Sequence, residues 1–184
     1  RLAREVVSSM ATNDLRERLQ PALLDRLTDD HPENTQDADD RRVLNKNQLR
    51  QAVLRDLSWL LNAVQPLGKQ AEGAPYAAES VLNYGLPPMS GQLASKVEVP
   101  SVEQALRDAI LRFEPRILEH SLVVKAVDGG AMLDAHNIIE FEIRGFLWAQ
   151  PIPLELLLRT QLDLEAGQVK VRDGSPSTID GGRR

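Results

Sequence analysis

At Pro115 the apolar rhythm of this chain changes from every third or fourth residue to every second one, and nothing else in the sequence constrains its fold as much. Upstream, "SVEQALRDAILRF" (101–113) sets Val102, Leu106, Ala109, Ile110 and Phe113 on one helical stripe, and Ser101 followed by Gln104 is a capping-box pattern. Proline ends that helix, and it stands between Glu114 and Arg116. Downstream, Leu118, His120, Leu122, Val124 and Ala126 alternate with Glu119, Ser121, Val123 and Lys125 up to the turn "DGG" at 128–130, which predicts a first strand. A second follows over 137–149, with Ile139, Phe141, Ile143, Gly145 and Leu147 on one side, closed by "PIP" at 151–153. Leu156, Leu158, Thr160, Leu162 and Leu164 mark a third, and "EAGQVKVRD" supplies a tight turn and a fourth through Val169 and Val171. The expected class is α+β, with N-terminal helices packed on a small, mainly antiparallel sheet of about four strands.

The helices that cover such a sheet must come from the first hundred residues. The clearest runs from about Asp40 to Val64, with Leu49, Val53, Leu57, Leu60, Leu61 and Val64 on its stripe, Arg50, Arg55 and Asp56 off it, and Trp59 off the stripe's centre. Residues 65–100 carry dense Gly and Pro punctuation and one short helical possibility at Ala77 to Asn83. The interleaved Tyr76, Val81, Leu82, Tyr84, Leu86 and Met89 predict a docked loop there. Earlier, Leu15, Leu19, Leu23 and Leu27 suggest a weakly anchored helical arm split near Pro21. "DDHPENTQDADD" (29–40), with six carboxylates and no lysine or arginine, reads as a solvated linker. The expected division is an arm and linker over 1–40, a domain over 41–173 and a flexible tail over 174–184. Residues 1–9 are set aside, because Met10 with "ATND" after it resembles a natural start.

Composition then removes whole classes of function. A formal net charge of -5, with no basic run, argues against a binder that neutralises phosphates, so no nucleic-acid partner is expected. The absence of cysteine excludes disulfides, thiolate nucleophiles and cysteine-ligated metals. No apolar run reaches the roughly 18 to 20 residues that cross a bilayer, and "RLAREVVSSM" lacks the apolar core of a secretory signal. The expectation is a cytosolic chain with no direct membrane insertion.

Candidate chemistry is sparse. His31, His120 and His136 fall in the linker, a strand and a turn, so no metal or cofactor is expected, and His120 reads as a hydrogen-bonded core histidine. No G-x-S-x-G and no phosphate-binding glycine loop is present. Glycoside hydrolysis needs only two suitably spaced carboxylates, and Glu114 with Glu119 is the pair to nominate. Arg116 speaks against Glu114 as the acid, since a neighbouring cation favours the ionised form. Glu114-Pro115-Arg116 then has two readings: a helix stop with a surface ion pair, or a corner that offers charges to a partner. An exposed pair of either kind is worth at most about 1 kcal/mol to folding.

Three segments in order resemble a known family: "SVLNYGLPPMSG" (80–91), "LRFEPRI" (111–117) and "FEIRGFLWAQPIPLELLLRTQLDLEAGQVKV" (141–171), with "LLDRLTDD" and "LRQAVLRDLSWLLN" ahead of them. The pattern is similar to the TssE baseplate subunits of type VI secretion systems, part of the lysozyme-like wedge family of contractile-tailed phage baseplates. Pro88 departs from it, at a place where an acidic residue is expected. The resemblance implies a structural protein rather than an enzyme. It would join the wedge subunits TssF, TssG and TssK, nucleate assembly of the sheath proteins TssB and TssC, and be recruited through the baseplate to the inner face of the cytoplasmic membrane. It also implies partner contacts at Glu114, Pro115 and Arg116 and at Tyr84, Gly85, Leu86 and Pro87, and a sheet edge open to sheath strands. The alternative carried by the family's name is a peptidoglycan-cleaving glycosidase.

Overall fold

The structure, a computed structural model, describes residues 22–28, 46–68, 73–89, 97–127, 138–149 and 152–174. Leu15, Leu19, the acidic stretch 29–40, His31, His136, the turn at 128–130 and the tail after Gly174 lie outside them. Among the described residues, four α-helices precede four strands: α1 Leu23–Leu27, α2 Lys46–Asn62, α3 Pro75–Ala78, α4 Val99–Phe113, then β1 Val123–Ala126, β2 Ile138–Leu147, β3 Leu154–Asp163 and β4 Gln168–Asp173. The strands form one antiparallel sheet in chain order, β1-β2-β3-β4, as the expected α+β class requires. No described helix is long and apolar enough to cross a membrane.

The chain parts into two compact units, residues 1–52 with 148–154, and residues 53–147 with 155–184. In the first, α1 leaves Leu23 and Leu27 exposed, Asp25 accepts the Ala22 N–H at 3.2 Å, and Leu49, Ala52 and Ala149 are buried.

The second unit holds the main core. α2 buries Val53, Leu57, Leu60 and Leu61, and α4 buries Val102, Leu106, Ala109 and Ile110, each at the helical spacing read from sequence. Alternation along the strands buries Ile139, Phe141, Ile143, Gly145 and Leu147 of β2, Leu156, Leu158, Thr160 and Leu162 of β3, and Val169 of β4. β3 and β4 pair from Leu158↔Asp173 to Asp163↔Gln168 around a turn in which Gly167 takes a positive φ of 65°.

Three local expectations need correcting. The strand predicted from Leu118 begins only at Val123. Residues Glu119–Ser121 make a 3-10 turn instead, whose Ser121 hydroxyl donates to Leu118 O at 2.6 Å and accepts the Phe146 N–H at 2.9 Å. That turn leaves His120 exposed, so it is not a core histidine. α4 starts two residues before the predicted capping box, with Glu98 at the N-cap position and Pro100 in the first turn, where a missing N–H costs nothing. α2 stops at Asn62, before Val64, which is exposed and bridged to Leu86.

Asn62 explains that stop. Its side-chain amide donates to Val169 O at 2.8 Å and accepts the Val169 N–H at 3.0 Å, so the end of the helix pairs with the outer edge of β4 as a strand residue would.

Candidate functional site

The Glu-Pro-Arg corner is assembled from the end of α4. Glu114 N–H still donates to Ile110 O at 2.8 Å, Pro115 then occupies the second position of a reverse turn, and Ile117 N–H closes it on Glu114 O at 3.2 Å. Ile117 bridges Leu147 and Leu118 N–H donates to Phe146 O, which fastens the corner to the end of β2.

Glu114 turns inward. It is 3 % exposed and lies at the negative end of the α4 dipole, a position that a carboxylate tolerates only with a cation beside it. Arg116 supplies the cation: its backbone N–H and Nε donate to Oε1 at 3.2 and 2.7 Å, and its Nη2 donates to Oε2 at 2.5 Å. The same Nη2 reaches Asp56 Oδ2 on α2 at 2.6 Å, and Asp56 Oδ1 accepts Nε and Nη2 of Arg55 at 2.9 and 2.8 Å. Two carboxylates and two guanidiniums thus alternate along one neutral chain that joins α2 to α4. Burial works to lower the Arg116 pKa, but the bonds and charges of Glu114 and then Asp56 prevail and hold it above its ordinary value.

The Tyr84-Gly85-Leu86-Pro87 segment follows a 3-10 turn at Val81–Asn83 and docks on the end of α2. Leu86 N–H donates to Ala63 O, and Gln65 N–H donates to Leu86 O, both at 2.8 Å. Gly85 has φ +118°, and a Cβ there would stand 2.3 Å from Ala63 O, so the position excludes every other residue. The Tyr84 ring meets Phe113 edge to face at 5.1 Å. Its phenol pKa is raised, first by burial and then by the negative charges of Asp56 and Glu114.

Of the residues named from sequence, Glu114, Gly85 and Leu86 are buried, Arg116 and Tyr84 are half-buried, and Pro115 and Pro87 are exposed. The ion pair of Glu114 and Arg116, which one of the two readings placed at the surface, has its carboxylate buried and its guanidinium half-buried. Docking of the 65–100 loop also differs from expectation: Tyr84, Leu86 and the buried Asn83 hold it, while Tyr76, Val81 and Leu82 face outward, Tyr76 at 89 % exposure. Glu119, the second nominated carboxylate, is exposed on its 3-10 turn. No cluster of metal-ligating side chains occurs among the described residues.

Sequence reasoning noted Asp56 and Arg55 only as polar positions off the α2 stripe. Their partnership with a corner sixty residues away has no signature in linear spacing.

A family model described as baseplate wedge protein gp25 matches residues 47–152, a span that contains every residue of this network and of the Tyr84 to Pro87 segment. No curated protein and no solved structure matches the chain.

Proposed function

The chain belongs to the baseplate wedge protein gp25 family, and from that premise we propose that it is the wedge subunit of a type VI secretion baseplate, with an assembly role and no catalytic one. Its partners are then the wedge proteins TssF, TssG and TssK and the sheath proteins TssB and TssC, met at the inner face of the cytoplasmic membrane to which the baseplate is recruited. Residues 41–173 act as the wedge domain, with 1–40 and 174–184 as its arms.

The observation that carries this reading is the fate of Glu114. Both of its oxygens are engaged by Arg116 inside the corner, which makes it a brace for the surface formed by Pro115 and Arg116. The same observation weighs against peptidoglycan cleavage by Glu114 and Glu119, since a general acid must reach its substrate and hold a proton to give. On this reading the corner meets the wedge, and a sheath strand adds at a sheet edge. β1 and β4 are the outer strands; Glu103 occupies the Ala126 N–H on β1 at 2.8 Å, and Asn62 occupies Val169 on β4.

Two measurements test the choice. Purified protein should leave peptidoglycan intact, and tagged protein should carry wedge subunits with it from cells that express the whole secretion cluster. Turnover that disappears in Glu114→Gln or Glu119→Gln would reverse the assignment.

A further inference from the structure

The charged network of the corner ends in an aromatic ring. Trp59 on α2 is 54 % exposed, and the Arg55 guanidinium lies over it, 5.2 Å from the ring centroid. Positions 55, 56 and 59 fall on one face of the helix, so Trp59, Arg55 and Asp56 continue the Arg116 corner across α2.

A count of donors and acceptors gives this face a polarity. A guanidinium has five N–H donors. Arg116 commits Nε and both Nη2 hydrogens to Glu114 and Asp56, and its Nη1 meets no acceptor among the described residues. The Trp59 indole N–H likewise meets none among them. On the acceptor side, both oxygens of Glu114 and both of Asp56 already receive hydrogen bonds. The groups with no partner are thus N–H donors, whereas every carboxylate oxygen of the network already holds at least one donor. The guanidiniums are also ordered before any partner arrives, which lowers the entropy lost on binding.

We propose that Trp59, Arg55 and Arg116 form one docking face for an acidic segment of a wedge partner. A partner carboxylate takes the Nη1 hydrogens of Arg116, and an apolar group beside it covers the indole. Tryptophan and arginine side by side, backed by a fixed network, are the residue types that carry most of the energy at protein interfaces. The inference rests on the wedge reading given above, and adds to it the residues on α2 and the charge of the partner.

The test uses the full chain and purified wedge proteins of the same secretion cluster, with affinity and melting temperature measured for each variant. Trp59→Ala should weaken the complex at least ~10-fold, as a central anchor does, and leave the melting temperature close to that of the parent. Arg55→Glu should bind more weakly than Arg55→Ala, and the parent's affinity should fall as salt is raised. Trp59→Ala binding like the parent, or Arg55→Glu binding no worse than Arg55→Ala, overturns the proposal. If Arg116→Lys loses binding while Trp59→Ala keeps it, the corner stands and this face falls. If the parent chain forms no complex, the wedge reading itself fails.

Discussion

Asp56 and Arg116, sixty residues apart, are joined by a 2.6 Å hydrogen bond that ties the middle of α2 to the turn after α4. The bond makes Arg116 a bridge between two carboxylates, and one of them is almost fully buried. Removing the guanidinium leaves Glu114 charged and unpaired in the interior. Arg116→Ala is therefore expected to destabilise the isolated chain by about 3 kcal/mol, well above the roughly 1 kcal/mol of an exposed pair. Urea titration decides between the two. A change within the smaller figure would mean that the pair is solvated after all.

Gly85 makes a second quantitative test. Alanine would have to hold φ near +118° with its Cβ driven into Ala63 O. Strain of that kind costs about 1 to 3 kcal/mol before the clash is relieved. Gly85→Ala should lower the denaturant midpoint, and an alanine variant as stable as the parent would show that the docked loop is free to move.

Tyr84 gives the corner a signature at alkaline pH. Its folded pKa is raised from 10.0 by burial and by Asp56 and Glu114, so above pH 10 the unfolded chain gives up the proton first. The stabilising contribution is complete below pH 10 and is lost as pH rises through the folded value. Over that alkaline window the parent should lose stability faster than Tyr84→Phe, while near neutrality the two should differ little. Parallel stability profiles would contradict the electrostatic coupling.

Asn62 is expected to guard the β4 edge. Asn62→Ala removes two hydrogen bonds to Val169, each worth about 1 kcal/mol, and leaves both backbone groups of that residue open. Amide exchange at Val169 should accelerate well beyond that at Leu162, its partner in the ladder. Equal exchange in parent and variant would assign the protection to something else.

Particular residues show how far the sequence reaches. The buried faces of β2 and β3 were legible because strict alternation over ten residues leaves one possible register. Alternation also ran through Leu118 to Leu122, yet Ser121 uses its hydroxyl to hold a 3-10 turn there, a side-chain bond that no period reports. At the corner, Pro115 announced the helix stop and the opposite charges that flank it drew notice to Glu114 and Arg116. Arg116, which holds Glu114 inward, is two residues away in the chain, but Asp56, which takes the other side of Arg116, is brought near only by the fold. Trp59 stood out as an aromatic off its stripe, but its connection to the corner through Arg55 and Asp56 is likewise a property of three dimensions.

The most direct test of the account is reconstitution of the wedge. Purified chain mixed with TssF, TssG and TssK from the same secretion cluster should enter one stoichiometric particle, measured by mass in solution. The same mixture without the chain should then fail to nucleate TssB and TssC into sheath. A particle that assembles and nucleates sheath equally well in the chain's absence, while the chain remains free in solution, would contradict the structural role assigned to it.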